Sequence, residues 1–197
     1  MEFFLKSCSL YEVKKAVEYD LIDGVSLISE NEHEPCIATD NDKTAIATCV
    51  KGPLFLSVSG DSSDEILENT RKRLGFAPNV VIKIKVSLEG LKACKTLNQN
   101  DISVCIDEVK SFAQAVLCAK NGADYICLNS KKLSENSPSN EREYQPISEC
   151  STLLKHYKFQ TTVIVDRLIN NVAVDEAVKT GADAIFITYE ELINLMK

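Results

Sequence analysis

Residues 78–90 read PNVVIKIKVSLEG. Val80, Val81, Ile82, Ile84 and Val86 have the make-up of a buried strand. Lys83 and Lys85 interrupt it on one side, because strand side chains alternate between faces. An ammonium in a dry interior costs several kcal/mol unless it is paired, solvated or neutralised. Two lysines on one face of a strand that reads as buried therefore need a reason.

Working outward, short apolar runs alternate with longer amphipathic ones, the pattern of a parallel sheet covered by helices. Eight strands are expected: EFFLK (2–6), GVSLI (24–28), PLFLSV (53–58), NVVIKI (79–84), ISVCID (102–107), DYICL (124–128), TVIVD (162–166) and DAIFI (183–187). Helical segments lie between them. SLYEVKKAVEYDL begins with Ser9 and Glu12 at capping-box spacing, and SSDEILENTRKRLG runs from acidic to basic residues and ends on Gly75. SLEGLKACKTL, EVKSFAQAVLCAKNG and NNVAVDEAVKTG continue the series. Loops are short except for SENEHEP and SENSPSNEREYQP.

AKNGADYI (119–126) and VKTGADAI (178–185) echo one another 59 residues apart, as two consecutive βα units would. Eight units over 197 residues predict one α/β domain, a closed (β/α)8 TIM barrel, short against a typical length of about 250. An open doubly wound sheet is the rival. No GxGxxG or P-loop glycine pattern supports it.

With 22 basic and 29 acidic residues the chain carries a formal charge of −7 and has no dense Lys/Arg run, which argues against a nucleic-acid or membrane-surface partner. No apolar run reaches the roughly 18 residues of a membrane span, and MEFFLKSCSL lacks the features of a signal peptide, so a cytoplasmic location is expected. The eight cysteines form no CxxC pair. They read as small buried hydrophobes rather than as a disulfide framework or zinc site.

In a barrel, chemistry gathers at the C-terminal ends of the strands. The candidates there are Lys6, Ser57, Lys83, Lys85, Asp107, Asn129, Lys132, Asp166 and Arg167. A lysine in a desolvated interior has a lowered pKa, and a second cation lowers it further, which supplies the neutral amine that attacks a carbonyl. Schiff-base formation is the specific reading of Lys83. The plainer reading has both lysines facing solvent, or paired with Asp107 or another carboxylate for stability alone. Asp107 could exchange protons with a carbinolamine, or simply cap a helix beginning at Glu108. Lys132 and Arg167 could hold a sugar phosphate or lie on the surface. His33 and His156 have no nucleophile or ligand at useful spacing.

PNVVIKIKVSLEGLKACKTL resembles the Schiff-base strand of the small transaldolase and fructose-6-phosphate aldolase family, whose pattern reads PN-x-x-VKIP-x-T-x-EGL-x-A. The resemblance extends through MEFFLKSCSLYEV, LIDGVSLIS, VKGPLFLSV, ISVCIDEVKSFAQAVLCAKNGADYICL and EAVKTGADAIFIT. It implies a (β/α)8 barrel with Lys83 inside it as the imine-forming lysine. The implied reaction is carbon–carbon cleavage and dihydroxyacetone transfer, which needs no metal, nucleotide or flavin.

The departures are specific. The family's first-strand aspartate is Lys6 here, and its Asn-Pro after the second strand is Ile28 and Ser29. The third-strand carboxylate or amide is Ser57, and the proline after Lys-Ile is Lys85. On the fifth strand Asn and Thr become Cys105 and Asp107, which removes the residue type that holds the catalytic water. The arginine after the sixth strand matches Lys132, and the serine after the seventh matches Arg167. The family's final helix, which commonly packs on a neighbouring subunit, has no counterpart before Lys197, so a homo-oligomer is left open.

Two readings of function follow from the resemblance. The first is a transaldolase or ketose-phosphate aldolase of carbohydrate metabolism, with Lys83 as nucleophile, Asp107 as acid/base and Lys6 as the neighbouring cation that favours the neutral amine. Lys85, Asn129, Lys132 and Arg167 would then contact substrate. The second is a catalytically degenerate barrel that binds a phosphorylated sugar, another small anion or a protein partner through a cationic mouth. A third, structural or regulatory, rests on the acidic segment SENSPSNERE.

Overall fold

The computed structural model describes residues 1–27, 39–129, 145–166, 171–179 and 181–197. Eight parallel strands close into a barrel in sequence order. They are β1 (Glu2–Lys6), β2 (Gly24–Ser26), β3 (Leu54–Val58), β4 (Val80–Lys85), β5 (Val104–Val109), β6 (Tyr125–Asn129), β7 (Thr162–Asp166) and β8 (Ala184–Thr188). The open-sheet alternative is excluded by the pairing of β1 with β8 over five residues.

The described helices are α1 (Leu10–Glu18), α2 (Asp40–Cys49), α3 (Ser63–Arg73), α4 (Leu88–Asn98), α5 (Phe112–Lys120), α6 (Gln145–His156), α7 (Asn171–Lys179) and α8 (Tyr189–Asn194). Ser9, Ser62, Ser87 and Ser111 each cap a helix by accepting the backbone N–H three residues on. The capping box expected at Ser9 is only half formed. Glu12 turns instead to the Ser7 hydroxyl, which in turn accepts the Ser9 N–H.

Sequence patterning leaves out α2, α6 and α8. Two of these carry full capping boxes, Thr39 with Asp42 and Thr188 with Glu191, signals that a search for apolar periodicity passes over. The loop expected over 134–146 ends sooner, because Gln145 and Pro146 already belong to α6, where a proline in the first turn breaks no hydrogen bond. The rest of that segment, and SENEHEP, lie outside the described residues. A second correction concerns β5. It runs on to Val109, and Ser111 caps a helix starting at Phe112, so Asp107 is not the cap of a helix at Glu108.

The internal echo has a physical basis. Gly122 and Gly181 each leave a helix with positive φ, 86° and 75°, a conformation that glycine adopts without Cβ strain. At Gly122 an added Cβ would lie 2.5 Å from the Asn98 side chain. The aspartate two residues on then accepts a backbone N–H from the preceding strand: Asp124 from Val104 at 2.9 Å and Asp183 from Val163 at 3.1 Å. Asp23 does the same for Phe3 at 2.8 Å.

Two apolar shells hold the barrel together. Between strands and helices pack Leu5, Val25, Leu54, Ile82, Ile106, Leu128, Val163 and Ile185 with the helical residues that cover them. Inside lie Phe4, Phe55, Val81, Cys105, Cys127, Ile164, Ala184 and Phe186. Phe55 meets Phe4, Tyr125 and Phe186 with ring centroids 5.0, 5.2 and 5.2 Å apart, a tilted and edge-on stack that fills the interior.

Cys49, Cys94, Cys105, Cys118, Cys127 and Cys150 are free thiols. Cys8 departs from the expectation of hydrophobic cysteines: it is disulfide-bonded. It follows β1 in the loop at the barrel mouth, outside the apolar segments on which that expectation rested. No described helix is long and apolar enough to cross a membrane.

Candidate active site

The aromatic stack makes a floor, and the strand period sets what stands above it. On seven strands a polar residue follows two positions beyond the last inner apolar side chain, on the same face. Phe4 is followed by Lys6, Phe55 by Ser57, Val81 by Lys83, Cys105 by Asp107, Cys127 by Asn129, Ile164 by Asp166 and Phe186 by Thr188. The register sets their heights: Ser57 pairs with Lys83 and Asn129 with Asp166, whereas Lys83 pairs with Cys105 and Asp107 with Lys85, one inward position higher. The result is a polar ring at the C-terminal end of the barrel.

Lys83 is 4% exposed. Its Nζ lies 3.3 Å from Asp107 Oδ2 and 5.2 Å from the centroid of the Phe186 ring, so both a carboxylate and an aromatic face solvate the amine. The other Asp107 oxygen accepts the Glu108 N–H at 2.7 Å. Lys6 meets Asp166 at 2.6 Å, with both side chains largely buried, a short charge-assisted contact. Asn129 is buried beside Asp166.

Lys83 and Lys85 share a face but separate by depth. The Lys85 side chain is 74% exposed at the rim, 3.2 Å from Glu108 Oε1, and such an exposed pair is worth at most about 1 kcal/mol. Lys6, Lys83 and Lys85 thus each face a carboxylate, and the mouth formed by the described residues is an array of ion pairs rather than a cationic bowl. What reaches Lys83 from Lys6 is the field of a paired charge. Lys132 and Arg167 lie outside the described residues, as does His33. His156 is exposed and packs edge-on against Tyr157 at 5.4 Å. Among the described residues no three potential ligands cluster as a metal site would require.

Beneath the ring, burial pushes the Cys105 thiol well above its ordinary range, with Asp107 adding to the shift and Lys83 opposing it. Cys127 behaves alike, raised by burial and then by Asp107 and Asp166. Neither is a nucleophile at neutral pH.

Sequence reasoning left two participants without a role. Asp166 stood among the strand-end candidates with no partner assigned, because its pairing with Lys6 spans an intervening strand. Glu108 was read as a helix start. The spacing of the apolar residues Val104, Ile106 and Val109, two and then three, was the available signal that strand β5 continues through an irregularity.

The sequence profile of the transaldolase/fructose-6-phosphate aldolase family matches residues 9–197. A probable transaldolase of Chlorobaculum parvum is 32% identical over 99% of this chain and 90% of its own length. One from Thermoplasma volcanium is 31% identical over 100% and 88%, and one from Geotalea uraniireducens 30% identical over 100% and 91%. A closed (β/α)8 barrel, a buried lysine on its fourth strand and similarity along the whole chain agree: this chain belongs to the transaldolase/fructose-6-phosphate aldolase family.

Proposed function

We propose that this protein makes or breaks carbon–carbon bonds of a ketose or ketose phosphate through a Schiff base on Lys83, as a transaldolase-like or aldolase-like enzyme of carbohydrate metabolism. The observation that carries this reading is Lys83 itself, a lysine 4% exposed with a carboxylate oxygen 3.3 Å from its amine. Asp107 takes a proton from the Lys83 ammonium as the substrate carbonyl arrives. The free amine attacks the carbonyl carbon and gives a carbinolamine. The same carboxyl then returns its proton to the departing hydroxyl, which leaves as water.

In the resulting iminium ion the bond to the hydroxyl-bearing carbon breaks. The hydroxyl proton goes to a base and the electron pair to the enamine, and an aldehyde is released. Addition of the enamine to a second aldehyde makes the overall reaction a transfer; protonation and hydrolysis make it a cleavage. Asn129 would hydrogen-bond the hydroxylated substrate, Lys85 would meet its outer end at the rim, and a phosphate would fall to Lys132 and Arg167. Lys6 takes no direct part, since its charge is compensated by Asp166. We place the enzyme in the cytoplasm, where the six free thiols of the described chain stay reduced; the disulfide at Cys8 is the feature that counts against that location.

Borohydride trapping tests the reading, with fructose 6-phosphate or dihydroxyacetone as the carbonyl compound and intact mass plus peptide mapping as readout. The expected result is a reduced adduct on the Lys83 peptide, absent from Lys83→Met. No adduct with either compound, in folded wild-type protein, would overturn it.

A further inference from the structure

Strand β5 presents two consecutive carboxylates to the barrel mouth, which a regular strand cannot do, because neighbouring side chains take opposite faces. Ile106 and Val109 both pack in the outer shell beneath the helices. Between them β5 advances from 106 to 109 while β6 advances only from 126 to 128. One residue is therefore extra, the definition of a β-bulge. Asp107 and Glu108 are left together on the inner side and face Lys83 and Lys85, which alternate normally on β4.

The backbone of Glu108 makes the irregularity. Its φ is 59°, in the left-handed region, and the other described non-glycine residues with positive φ, Asp20, Asp101 and Lys158, all sit in turns that follow helices. Left-handed residues are routine there and uncommon inside a strand. The peptide that leads into this turn points the Glu108 N–H at Asp107 Oδ1 and leaves Oδ2 directed at Lys83, while the left-handed φ of Glu108 carries the chain on to Val109 with that peptide in place. On the other side the bulge is held to β4, where Val86 donates to the Asp107 carbonyl at 2.9 Å.

We propose that Glu108 is a positioning residue: its left-handed conformation, more than its charge, fixes the carboxylate of Asp107 against the Lys83 amine. Backbone strain kept at such a point is characteristic of functional sites. As an account of catalysis this rests on the imine reading above. As an account of the geometry around Lys83 it does not, and the experiment separates the two.

The test is competitive labelling with trace acetic anhydride, reading acetylation of Lys83 against the exposed Lys92 by peptide mapping as a function of pH. Asp107→Asn is the reference for a lost pair. Glu108→Asn and Glu108→Gly keep a left-handed residue without the carboxylate, and Glu108→Val disfavours the conformation. Glu108→Ala, milder on the same axis, serves if the valine variant fails to fold.

Expected are wild-type labelling, within about twofold, for the Asn and Gly variants, and a change of about fivefold or more for Val, in the direction of Asp107→Asn. Wild-type labelling in Glu108→Val, an unchanged Asp107→Asn, or a Gly variant that moves as far as Val would each overturn the proposal. Borohydride trapping on the same proteins tells the two readings apart. Its failure in wild type removes the imine chemistry and leaves the labelling result standing.

Discussion

The two buried lysine–carboxylate pairs stand on the same aromatic floor and are built differently. Lys83 and Asp107 come from neighbouring strands, yet their charged atoms are 3.3 Å apart. Lys6 and Asp166 come from β1 and β7, with β8 between them, and close to 2.6 Å. Charge-assisted contacts of this type favour about 2.7–2.9 Å. The Lys6 pair is drawn tight over β8, while the Lys83 pair is looser, its carboxylate fixed by the bulge on one side and its amine resting against an aromatic face on the other. A slack pair can part to admit a carbonyl; a tight one ties together the two strands that flank β8. Under the proposed function the first pair would carry the proton traffic and the second would hold structure.

That division breaks most visibly at Asp107. Replacing it with asparagine keeps shape and removes the proton acceptor, so cleavage of fructose 6-phosphate, measured as aldehyde release, should fall about 10²- to 10⁴-fold. Slow imine trapping on Lys83 should remain detectable. Undiminished turnover in Asp107→Asn would put the proton transfer on another group and return Asp107 to a structural part.

The Lys6 pair should respond in stability. Removing one partner takes away the counter-charge that sits 2.6 Å from a buried group, so Lys6→Met or Asp166→Leu alone should cost about 3 kcal/mol in urea unfolding. The double variant, with neither charge, should lie close to wild type. Additive losses in the double variant would mean that the two residues act separately and that the clamp is not a unit.

How far all this could be read from sequence depends on what local pattern encodes. The eight strands, their order and the shared face of Lys83 and Lys85 follow from a two-residue period repeated between helices, the inward direction of that face comes only from the family resemblance, and the observed strands shift by only a few residues. The partnership of Lys83 with Asp107 was within reach, since neighbouring strands with known faces bring strand-end residues together. The Lys6–Asp166 contact was not, because it depends on the tilt and stagger with which the barrel closes, which no single strand carries. Glu108 failed for a different reason. A carboxylate just after a strand resembles a helix start, and only the apolar spacing 104, 106, 109 distinguishes a bulge. Cys8 shows the same limit, because disulfide partners are set by the fold and not by spacing.

The smallest effect expected per group concerns the thiols under and around these pairs, and it sharpens the comparison from below. Burial holds Cys94, Cys118 and Cys150 up to about 12, and Cys105 and Cys127 well above the ordinary thiol range. An unfolded thiol ionises near 8.5. Below that pH both states keep the proton and the thiols give no pH dependence. Above it the unfolded chain releases protons that the native chain retains, so stability falls as pH rises from about 8.5 towards the folded values, by up to about 1.4 kcal/mol per pH unit for each thiol. Urea midpoints between pH 8 and 10.5 should show this decline, and Cys105→Ala with Cys127→Ala should flatten it. Lys83 opposes the shift of Cys105, but the native chain holds that proton throughout this window, so the thiols' share of the decline is set by their burial and not by the ion pair above them.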